Sequence, residues 1–317
     1  MSLSGTIHWE RHNGLIVNRD FLDILARNRL NTFGRMFEYD AGEVVKDIGI
    51  RTVTRIALTI DGQVRHFYLK RHYTDKLWFQ KRESSFGGGG RLSQGLLEFD
   101  NICRFRQANV STPVPVAAGQ RMIRWPRVQS FVVTEDFHPY ISLEKLLETR
   151  PEFFLGAESK TRKRLLLKEI AELARRMHER GFNHRDFNGT HVLLRYVNEN
   201  APPATALFDL QRIDRKRLFR FRWIIKSLAE MNYSLPENLF GSEDRQFLFL
   251  CYKNKIHPGL WNRFEMFWIR RKTERIRHHT QSLIKRRARL RDPGSKRPER
   301  GRPGEGGVKE SDTLQIS

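Results

Sequence analysis

The residues with the clearest chemical potential form a short polar loop, His184-Arg185-Asp186, between a long amphipathic stretch and the apolar run 192–194. An aspartate in such a loop can accept the proton of an attacking hydroxyl, and a side chain five positions later can help to hold a metal on the phosphates of ATP. His191 occupies that second position. Imidazole suits Mg2+ less well than oxygen does, so His191 either binds the metal or only orients Asp186 or a phosphate. The spacing is typical of a kinase catalytic loop.

Three more charged residues occur in the chain order that kinase-like folds require. Asp209 ends an apolar strand predicted for 206–210, which is where the main Mg2+ ligand would lie. Lys70 ends an alternating strand and Glu98 lies on the next predicted helix, so the two can pair across an ATP site. Each residue alone could be an ordinary surface charge, and Arg71 competes with Lys70 for its role. Together with the polar loop they predict a kinase-like fold.

The elements around these residues predict an α+β, two-lobed, protein-kinase-like fold, with a small antiparallel sheet lobe that carries one helix and a larger, mainly helical lobe. Runs of Val, Ile and Thr indicate strands in the first half, with Asp61-Gly62 as a hairpin turn. The predicted strands are 44–45, 51–60, 66–70, 116–119 and 130–134. A helix is predicted over 96–108, and the serine- and glycine-rich stretch 81–95 is predicted to be a mobile loop.

The strongest helical periodicity covers 161–180, with Gly181 as its C-cap, and Ser142 is the predicted N-cap of a short helix before it. The segments that follow are predicted to be mainly helical. The predicted domains are an N-terminal segment (1–41), an N-lobe with the ATP-binding sheet and helix (42–136), a C-lobe with the catalytic loop and metal site (137–282) and a basic disordered tail (283–317).

The segment that would cover the phosphates of ATP is the least distinct part of the pattern. No G-x-G-x-x-G motif is present in the chain. Gly42 and Gly49, with Ile50-Arg51, are the candidates, and backbone amides and Arg51 would then have to bind the phosphates.

The overall charge predicts an acidic partner. The 317 residues carry 58 Lys and Arg against 36 Asp and Glu, a formal net charge of +22, which suits nucleic acid, anionic lipid or a phosphorylated glycan. No zinc-finger, RNA-recognition or helix-turn-helix pattern accompanies this charge, so no specific nucleic acid is predicted. The N-terminus lacks the apolar region of a secretory signal and no apolar run is long enough to cross a membrane. The only two cysteines, Cys103 and Cys251, indicate a reducing cytoplasm.

Four short motifs carry a resemblance to a known family. They are Phe67-Tyr68-Leu69-Lys70-Arg71-His72, Thr112-Pro113-Val114-Pro115-Val116-Ala117-Ala118-Gly119, Val133-Thr134-Glu135-Asp136-Phe137, and His184-Arg185-Asp186-Phe187 followed by His191-Val192-Leu193-Leu194. With these motifs, over about 42–253, the chain resembles the bacterial lipopolysaccharide kinase (Kdo/WaaP) family, whose members phosphorylate Kdo or heptose sugars of the inner core at the inner membrane. A histidine at position 191 is typical of this family and not of protein kinases.

The resemblance implies a set of site residues, a pair of cofactors and a substrate class. The implied site residues are Asp186 as the catalytic base, Lys70, Glu98, Glu135 and Phe137 at the nucleotide, and Asp209 and His191 at the metal. ATP and Mg2+ are the implied cofactors, and a lipid-linked acidic glycan is the implied substrate.

A departure from the family pattern and a missing motif leave other functions open. Family members often carry Asp where this chain has Ser227, and the glycine motif is absent. The alternatives are an atypical protein or small-molecule kinase on the same fold, or a degraded kinase that acts as a binding module. The chain has no Ala-Pro-Glu segment and no long activation loop after Asp209, which counts against a conventional protein kinase. Retention of Lys70, Glu98, Asp186 and Asp209 together favours activity.

A lipid-linked substrate would bring the protein to an anionic membrane surface, which attracts Lys and Arg by about 1 kcal/mol each. We therefore expect a cytoplasmic protein, with peripheral attachment to the cytoplasmic face of the inner membrane as an option. Trp261, Phe264 and Trp268 could lie in the membrane interface, but their helical spacing favours packing into the core. Isolated histidine pairs lack further ligands, so no transition metal is predicted, and the oligomeric state is left open.

Overall fold

Antiparallel strands form the sheet of the first lobe. The computed structural model describes residues 6–76, 92–215 and 220–291. The strands of this sheet are β1 (Trp9–His12), β2 (Leu15–Asn18), β3 (Glu43–Asp47), β4 (Arg51–Ile60), β5 (Gln63–Lys76), β6 (Pro115–Arg124) and β7 (Arg127–Glu135). Their order is β1-β2-β6-β7-β5-β4-β3, and every neighbouring pair is antiparallel. The strands predicted in the first half are confirmed.

The hairpin of β4 and β5 turns at Asp61-Gly62, as the sequence predicts. Ile60 lies opposite Gln63, so the turn has two central residues. Both have positive φ, 50° for Asp61 and 76° for Gly62. This is the backbone geometry that matches the twist of the flanking strands, and it favours Asp-Gly.

Residues of the predicted N-terminal segment add strands and short helices to this lobe. β1 and β2 pair at one edge of the sheet, and a 3-10 turn (Arg19–Phe21) leads into α1 (Leu22–Arg27) and then α2 (Phe33–Phe37). The side chains of Leu15, Ile24 and Met36 are buried in the core of the lobe. Strands of four residues are too short to show alternation, so the sequence pattern did not separate them.

Helix α3 (Gln94–Gln107) packs between the two lobes and confirms the helix predicted over 96–108. Phe99 and Cys103 pack in a cluster with the sheet, whereas Ile102 and Phe105 belong to the core of the second lobe. A helix held on both sides is a rigid support for any functional side chain that it carries. Most of the loop predicted over 81–95 lies outside the described residues, and Gln94 already belongs to the helix.

The second lobe is mainly helical, as predicted. Its helices are α4 (Leu143–Thr149), α5 (Ser159–Glu179), α6 (Phe221–Ser234), α7 (Ser242–Lys253) and α8 (Leu260–Arg291), with a 3-10 turn at Pro151–Phe154. Short strands β8 (Ile141–Ser142), β9 (Phe182–His184), β10 (Val192–Arg195), β11 (Ala204–Leu207) and β12 (Ile213–Arg215) form two small sheets, β11-β10-β8 and β12-β9. Ser142 accepts a hydrogen bond from the amide of Lys145 at 3.2 Å, which confirms the predicted N-cap.

The aromatic residues of α8 are exposed, so the prediction that they pack into the core is wrong. Trp261, Phe264 and Trp268 expose 62%, 44% and 37% of their surface. The buried stripe has the same helical spacing but is shifted by one residue along the chain. It consists of Asn262, Glu265, Ile269 and Thr273. Hydrogen bonds from Lys253 to Glu265 at 3.0 Å and from Thr273 to the Ala229 carbonyl at 3.3 Å satisfy its polar groups.

The compact unit that contains both lobes ends at Ile276, and the chain from Arg277 on forms a second unit. Residues 283–291, which were predicted to begin a disordered tail, are helical. Lys, Arg, Ala and Leu dominate this stretch and are all strong helix formers, which explains the difference. The rest of the predicted tail, 292–317, lies outside the described residues. Among the helices that the structure describes, none combines the length and the apolar character needed to cross a membrane.

Candidate active site

A cavity of about 350 Å3 lies between the sheet of the first lobe and the loops of the second. Five of the site residues that the family resemblance implies line it. They are Lys70, Glu98, Phe137, His191 and Asp209. These residues come from β5, α3, the segment that joins the lobes, and two loops of the second lobe, so only the folded chain brings them together.

Lys70 joins the carboxylates of Glu98 and Asp209. Its Nζ lies 2.9 Å from Glu98 Oε2 and 2.6 Å from Asp209 Oδ1. Burial by itself would lower the pKa of Lys70, but the two carboxylates outweigh burial and hold that pKa above its ordinary value. Arg71, the competing candidate, points to the opposite face of β5 and donates to the carbonyl of Phe37 at 2.8 Å. Lys70 is therefore the cation that faces the cavity.

Asp209 is held in an unusual backbone conformation two residues after the end of β11. Its φ is 57°, a left-handed value that few residues other than glycine adopt. Burial alone would raise the pKa of this carboxyl, but the nearby ammonium of Lys70 and the ring of His191 outweigh it, so the pKa lies well below its ordinary value. Asp209 thus remains an anion, and its strained backbone aims the carboxylate at the cavity.

The catalytic-loop residue His184 ties the loop to the strand that leads to Asp209. Its Nδ1 accepts a hydrogen bond from the amide of Asp186 at 3.1 Å, so its Nε2 carries the proton and donates to the carbonyl of Phe208 at 3.2 Å. Burial and the neighbouring ring of His191 lower the pKa of His184 to about 4, which keeps the ring neutral. The two aspartates are therefore linked through one buried imidazole.

Helix α6 anchors the same loop at two points without the help of Ser227. Lys226 Nζ donates to the carbonyl of Arg185 at 2.7 Å, and the amide of Gly189 donates to Ser234 Oγ at 2.9 Å. Ser227 is buried, and its hydroxyl has no hydrogen-bond partner within the described part of the chain. The loop is thus positioned by neighbours of Ser227 on α6, which the sequence pattern did not reveal.

His191 turns one ring nitrogen to its own loop and the other to Asp209. Its Nδ1 lies 2.9 Å from the carbonyl oxygen of Asp186 and 3.1 Å from Oδ1 of Asn188, which also accepts from the amide of Thr190. Both contacts are acceptors, so Nδ1 donates to them. The other ring nitrogen, Nε2, faces Asp209 Oδ2 at 3.7 Å. A ring nitrogen and a carboxylate oxygen are both groups that can bind a divalent cation.

Asp186 has a partner that the sequence pattern did not suggest. Arg212 Nη1 lies 2.9 Å from Oδ1 and 3.1 Å from Oδ2 of Asp186. Arg212 follows Asp209 by three positions, so the short connection into β12 brings it back to the catalytic loop. Arg185 pairs instead with Asp214 of β12, at 2.6 Å and 2.8 Å. These two arginines fix the catalytic loop against β12.

The turn between β3 and β4 reaches over the cavity. Val45, Lys46 and Arg51 are among the lining residues, and Arg51 Nη1 donates to Gln211 Oε1 at 3.1 Å across the gap between the lobes. Gly49 has a φ of 75° and open space around it. The segment predicted to cover the phosphates therefore lies beside the cavity, and its contact with Gln211 is one that the sequence pattern did not suggest.

Phe137 and Glu135 have different positions. The ring of Phe137 lines the cavity and stacks between Tyr68 and Phe208, with centroids 5.6 Å apart in both cases. The side chain of Glu135 forms an ion pair with Arg65 and is not among the residues that line the cavity. The structure therefore brings Phe137 to the site but not the carboxylate of Glu135.

The fold combines a sheet lobe with a helical lobe, and a lysine, a glutamate and two aspartates lie where the lobes meet. This combination defines the kinase-like class of phosphotransferases. Comparison with known proteins narrows this class. The family model of the lipopolysaccharide kinase (Kdo/WaaP) family matches residues 35–252, more than half of the chain, so the chain belongs to that family. The resemblance carried by the sequence motifs is confirmed, and the protein is a kinase.

Two similar proteins share one name with each other. The lipopolysaccharide core heptose(I) kinase WaaP of Pseudomonas aeruginosa is 29% identical over 213 residues, which are 61% of this chain and 77% of the relative. That of Escherichia coli is 31% identical over 139 residues, 43% of this chain and 51% of the relative, so this match spans about half of the relative. A solved structure described as WaaP in complex with acyl carrier protein has a TM-score of 0.61 and 24% identity, and covers 82% of this chain and 98% of that chain. This likeness confirms the kinase-like fold.

Proposed function

We propose that the protein uses ATP and Mg2+ to phosphorylate a sugar hydroxyl of the lipopolysaccharide inner core, with heptose as the acceptor. One observation carries the proposal. Lys70, Glu98 and Asp209 form one connected charged group that lines the cavity, beside the loop that holds Asp186. The names of the similar proteins favour heptose over Kdo.

The residues around Asp209 fit a nucleotide with a divalent cation. Mg2+, when bound, supplies charge neutralisation on the phosphates. Asp209 and Nε2 of His191 would hold it, and such sites usually leave the remaining positions to water and phosphate oxygens. Lys70 would contact the α- and β-phosphates, and Phe137 would offer an apolar ring to the base.

Asp186 would act on the acceptor hydroxyl. Its carboxylate is oriented by Arg212 and its backbone by His184, so it can accept the proton as the hydroxyl attacks. Arg212 is a positioning residue in this scheme. The fixed geometry of the loop supplies most of the effect, because phosphoryl transfer depends chiefly on positioning and charge.

Transfer of radiolabel from ATP tests the proposal directly. Purified protein is incubated with Mg2+ and with lipid A that carries Kdo alone or Kdo and heptose. We expect label only on the heptose-containing acceptor, and a loss of about 100-fold or more in Asp186→Asn. Glu148→Gln, the same chemical change at an exposed site on α4, is the matched control. Undiminished transfer by Asp186→Asn would contradict the role of Asp186, and label on Kdo alone would contradict the choice of heptose.

The same proposal includes peripheral attachment to the cytoplasmic face of the inner membrane. Trp261, Phe264 and Phe267 form an exposed aromatic face on α8, and Arg263 lies among them. Rings beside cations suit the boundary between lipid headgroups and acyl chains.

Sedimentation with vesicles that contain phosphatidylglycerol measures this attachment. We expect Trp261→Ser with Phe264→Ser to weaken binding about tenfold or more, since each ring would lose apolar burial. High salt should weaken it further. Ile256→Ser removes another highly exposed apolar side chain and is the matched control. Equal binding by the double variant and the control would exclude the aromatic face.

A further inference from the structure

A second and larger cavity, of about 640 Å3, lies in the second lobe. Its walls come from the end of β9 and the catalytic loop, from β12, and from the helices α6 and α8. A volume of this size lies within the range of about 300–1,000 Å3 that is usual for ligand pockets. None of the residues assigned to the nucleotide or the metal lines it.

The walls of this cavity are strongly basic. Seven cationic side chains line it, Arg185, Arg212, Arg222, Lys226, Arg271, Lys272 and Arg275, against the single carboxylate of Asp214. Arg185 occupies both oxygens of that carboxylate, at 2.6 Å and 2.8 Å. A concave surface with one sign of charge concentrates anions.

Four of these cationic side chains have no carboxylate partner in the part of the chain that the structure describes. Within the residues that the structure describes, Arg222, Arg271, Lys272 and Arg275 have no carboxylate within 4.0 Å. Like charges grouped around one cavity repel one another, which opposes folding unless a bound anion balances them. Their arrangement from two helices around one space therefore indicates a ligand with more than one negative group.

The catalytic aspartate contacts one lining residue of each cavity. Arg212 lines the basic cavity and contacts the carboxylate of Asp186 at 2.9 Å. His191 lines the nucleotide cavity and donates to the backbone carbonyl of Asp186 at 2.9 Å. A base that serves an acceptor in one cavity and a phosphoryl donor in the other must be close to both, and these contacts meet that condition.

We propose that this cavity binds the acceptor, and that Arg222, Arg271, Lys272 and Arg275 hold carboxylate or phosphate groups of the glycan next to the hydroxyl that is phosphorylated. Phe221, Trp223 and Trp268 also line the cavity and offer apolar faces to the sugar rings. This inference rests on the proposed function and specifies how the acceptor is recognised. The four cationic residues favour an acidic glycan over a neutral one as the acceptor.

Kinetics of Arg271→Gln with Arg275→Gln test the assignment, using lipid-free inner-core oligosaccharide so that membrane binding plays no part. We expect kcat/KM for the acceptor to fall about tenfold or more per charge removed, since hydrogen bonds to charged groups are among the strong ones. The KM for ATP should stay within about twofold of wild type, because neither residue lines the nucleotide cavity. Arg270→Gln, an exposed arginine of α8 outside the cavity, is the matched control.

A chemically modified acceptor gives a second test of the same assignment. When the carboxyl groups of the oligosaccharide are reduced to alcohols and its phosphates removed, wild type should lose activity to the level of the double variant, and the variant should lose little more. A thermal melt of the double variant should show no loss of stability, because its substitutions relieve repulsion. Wild type that phosphorylates no glycan would contradict the proposed function. Active wild type with an unchanged acceptor KM in the double variant would overturn this inference alone.

Discussion

Replacement of Lys70 by methionine tests whether the buried charges at the nucleotide cavity depend on one another. The ammonium lies 2.9 Å from Glu98 and 2.6 Å from Asp209, and the side chains of Lys70 and Glu98 expose only 12% and 6% of their surface. At an effective dielectric constant of about 20, two unit charges about 4 Å apart attract by about 4 kcal/mol. Burial of the charges offsets part of this attraction, so we expect the free energy of unfolding to fall by about 3 kcal/mol.

A second substitution separates this electrostatic effect from lost packing. In Lys70→Met the buried carboxylate of Glu98 and the half-buried carboxylate of Asp209 lose their cation. Adding Glu98→Gln removes the buried charge and should restore about 1 kcal/mol of the free energy of unfolding. Urea denaturation at pH 8 compares the three proteins. Lys160→Met, at an exposed site on α5, is the control and should lie within about 0.5 kcal/mol of wild type.

The pH dependence of the Lys70→Met deficit gives an independent check. Burial already raises the pKa of Glu98, and loss of the lysine should raise this pKa further. A carboxyl with a raised folded-state pKa costs stability as pH rises above its unfolded value, so the deficit should be smaller at pH 5 than at pH 8. A Lys70→Met protein as stable as wild type, or a double variant less stable than the single one, would refute the reasoning.

Three further predictions concern pH, the metal and the support of the site. Burial lowers the pKa of His178 from 6.5 to about 3, so only the unfolded chain takes up this proton at pH 5 and the folded state loses about 2 kcal/mol there. Urea denaturation of wild type and His178→Gln at pH 8 and pH 5 measures this effect. Between the two pH values the variant should lose less free energy of unfolding than wild type, by that amount. An equal loss in the two proteins would contradict the role of His178. His191→Leu should raise the Mg2+ concentration for half-maximal activity about tenfold or more. His191→Asn, which offers an oxygen ligand, should raise this concentration less. If His191→Leu and wild type need the same Mg2+ concentration, His191 is not a metal ligand. Gly95→Ala would place a Cβ 2.4 Å from the carbonyl oxygen of Phe131 and should destabilise the folded protein by about 2 kcal/mol. In the control Gly34→Ala the nearest atom to the new Cβ is 4.0 Å away, so the melting temperature should not fall.

Several elements of the fold could be predicted because short-range rules control them. The Asp61-Gly62 turn follows from the preference of these residues for positive φ, and the long helix α5 follows from its apolar period. The loop 184–191 could be proposed as a catalytic loop because its residues are adjacent in sequence. In each case the information lies within a few residues of the feature itself.

Other features could not be predicted because they depend on phase or on distant partners. The apolar spacing of α8 indicated a buried face, but the buried stripe at Asn262, Glu265 and Ile269 has the same period and lies one residue away. One residue rotates a helix position by about 100°, so the pattern alone did not choose between the two faces. The family resemblance implied Glu135 at the nucleotide, and the fold pairs its carboxylate with Arg65 of β5, outside the set of residues that line the cavity.

The sequence by itself determined which chemical groups are available and in what order, since Lys70, Glu98, Asp186 and Asp209 were identified from spacing and element type. Only the tertiary structure decided which of them meet. Lys70 and Asp209 are 139 positions apart, and Arg212 reaches Asp186 across 26 positions. The basic cavity likewise combines residues from a loop, two strands and two helices. Such contacts depend on how whole elements pack, and packing is set by the burial of faces far from the site rather than by the site residues themselves.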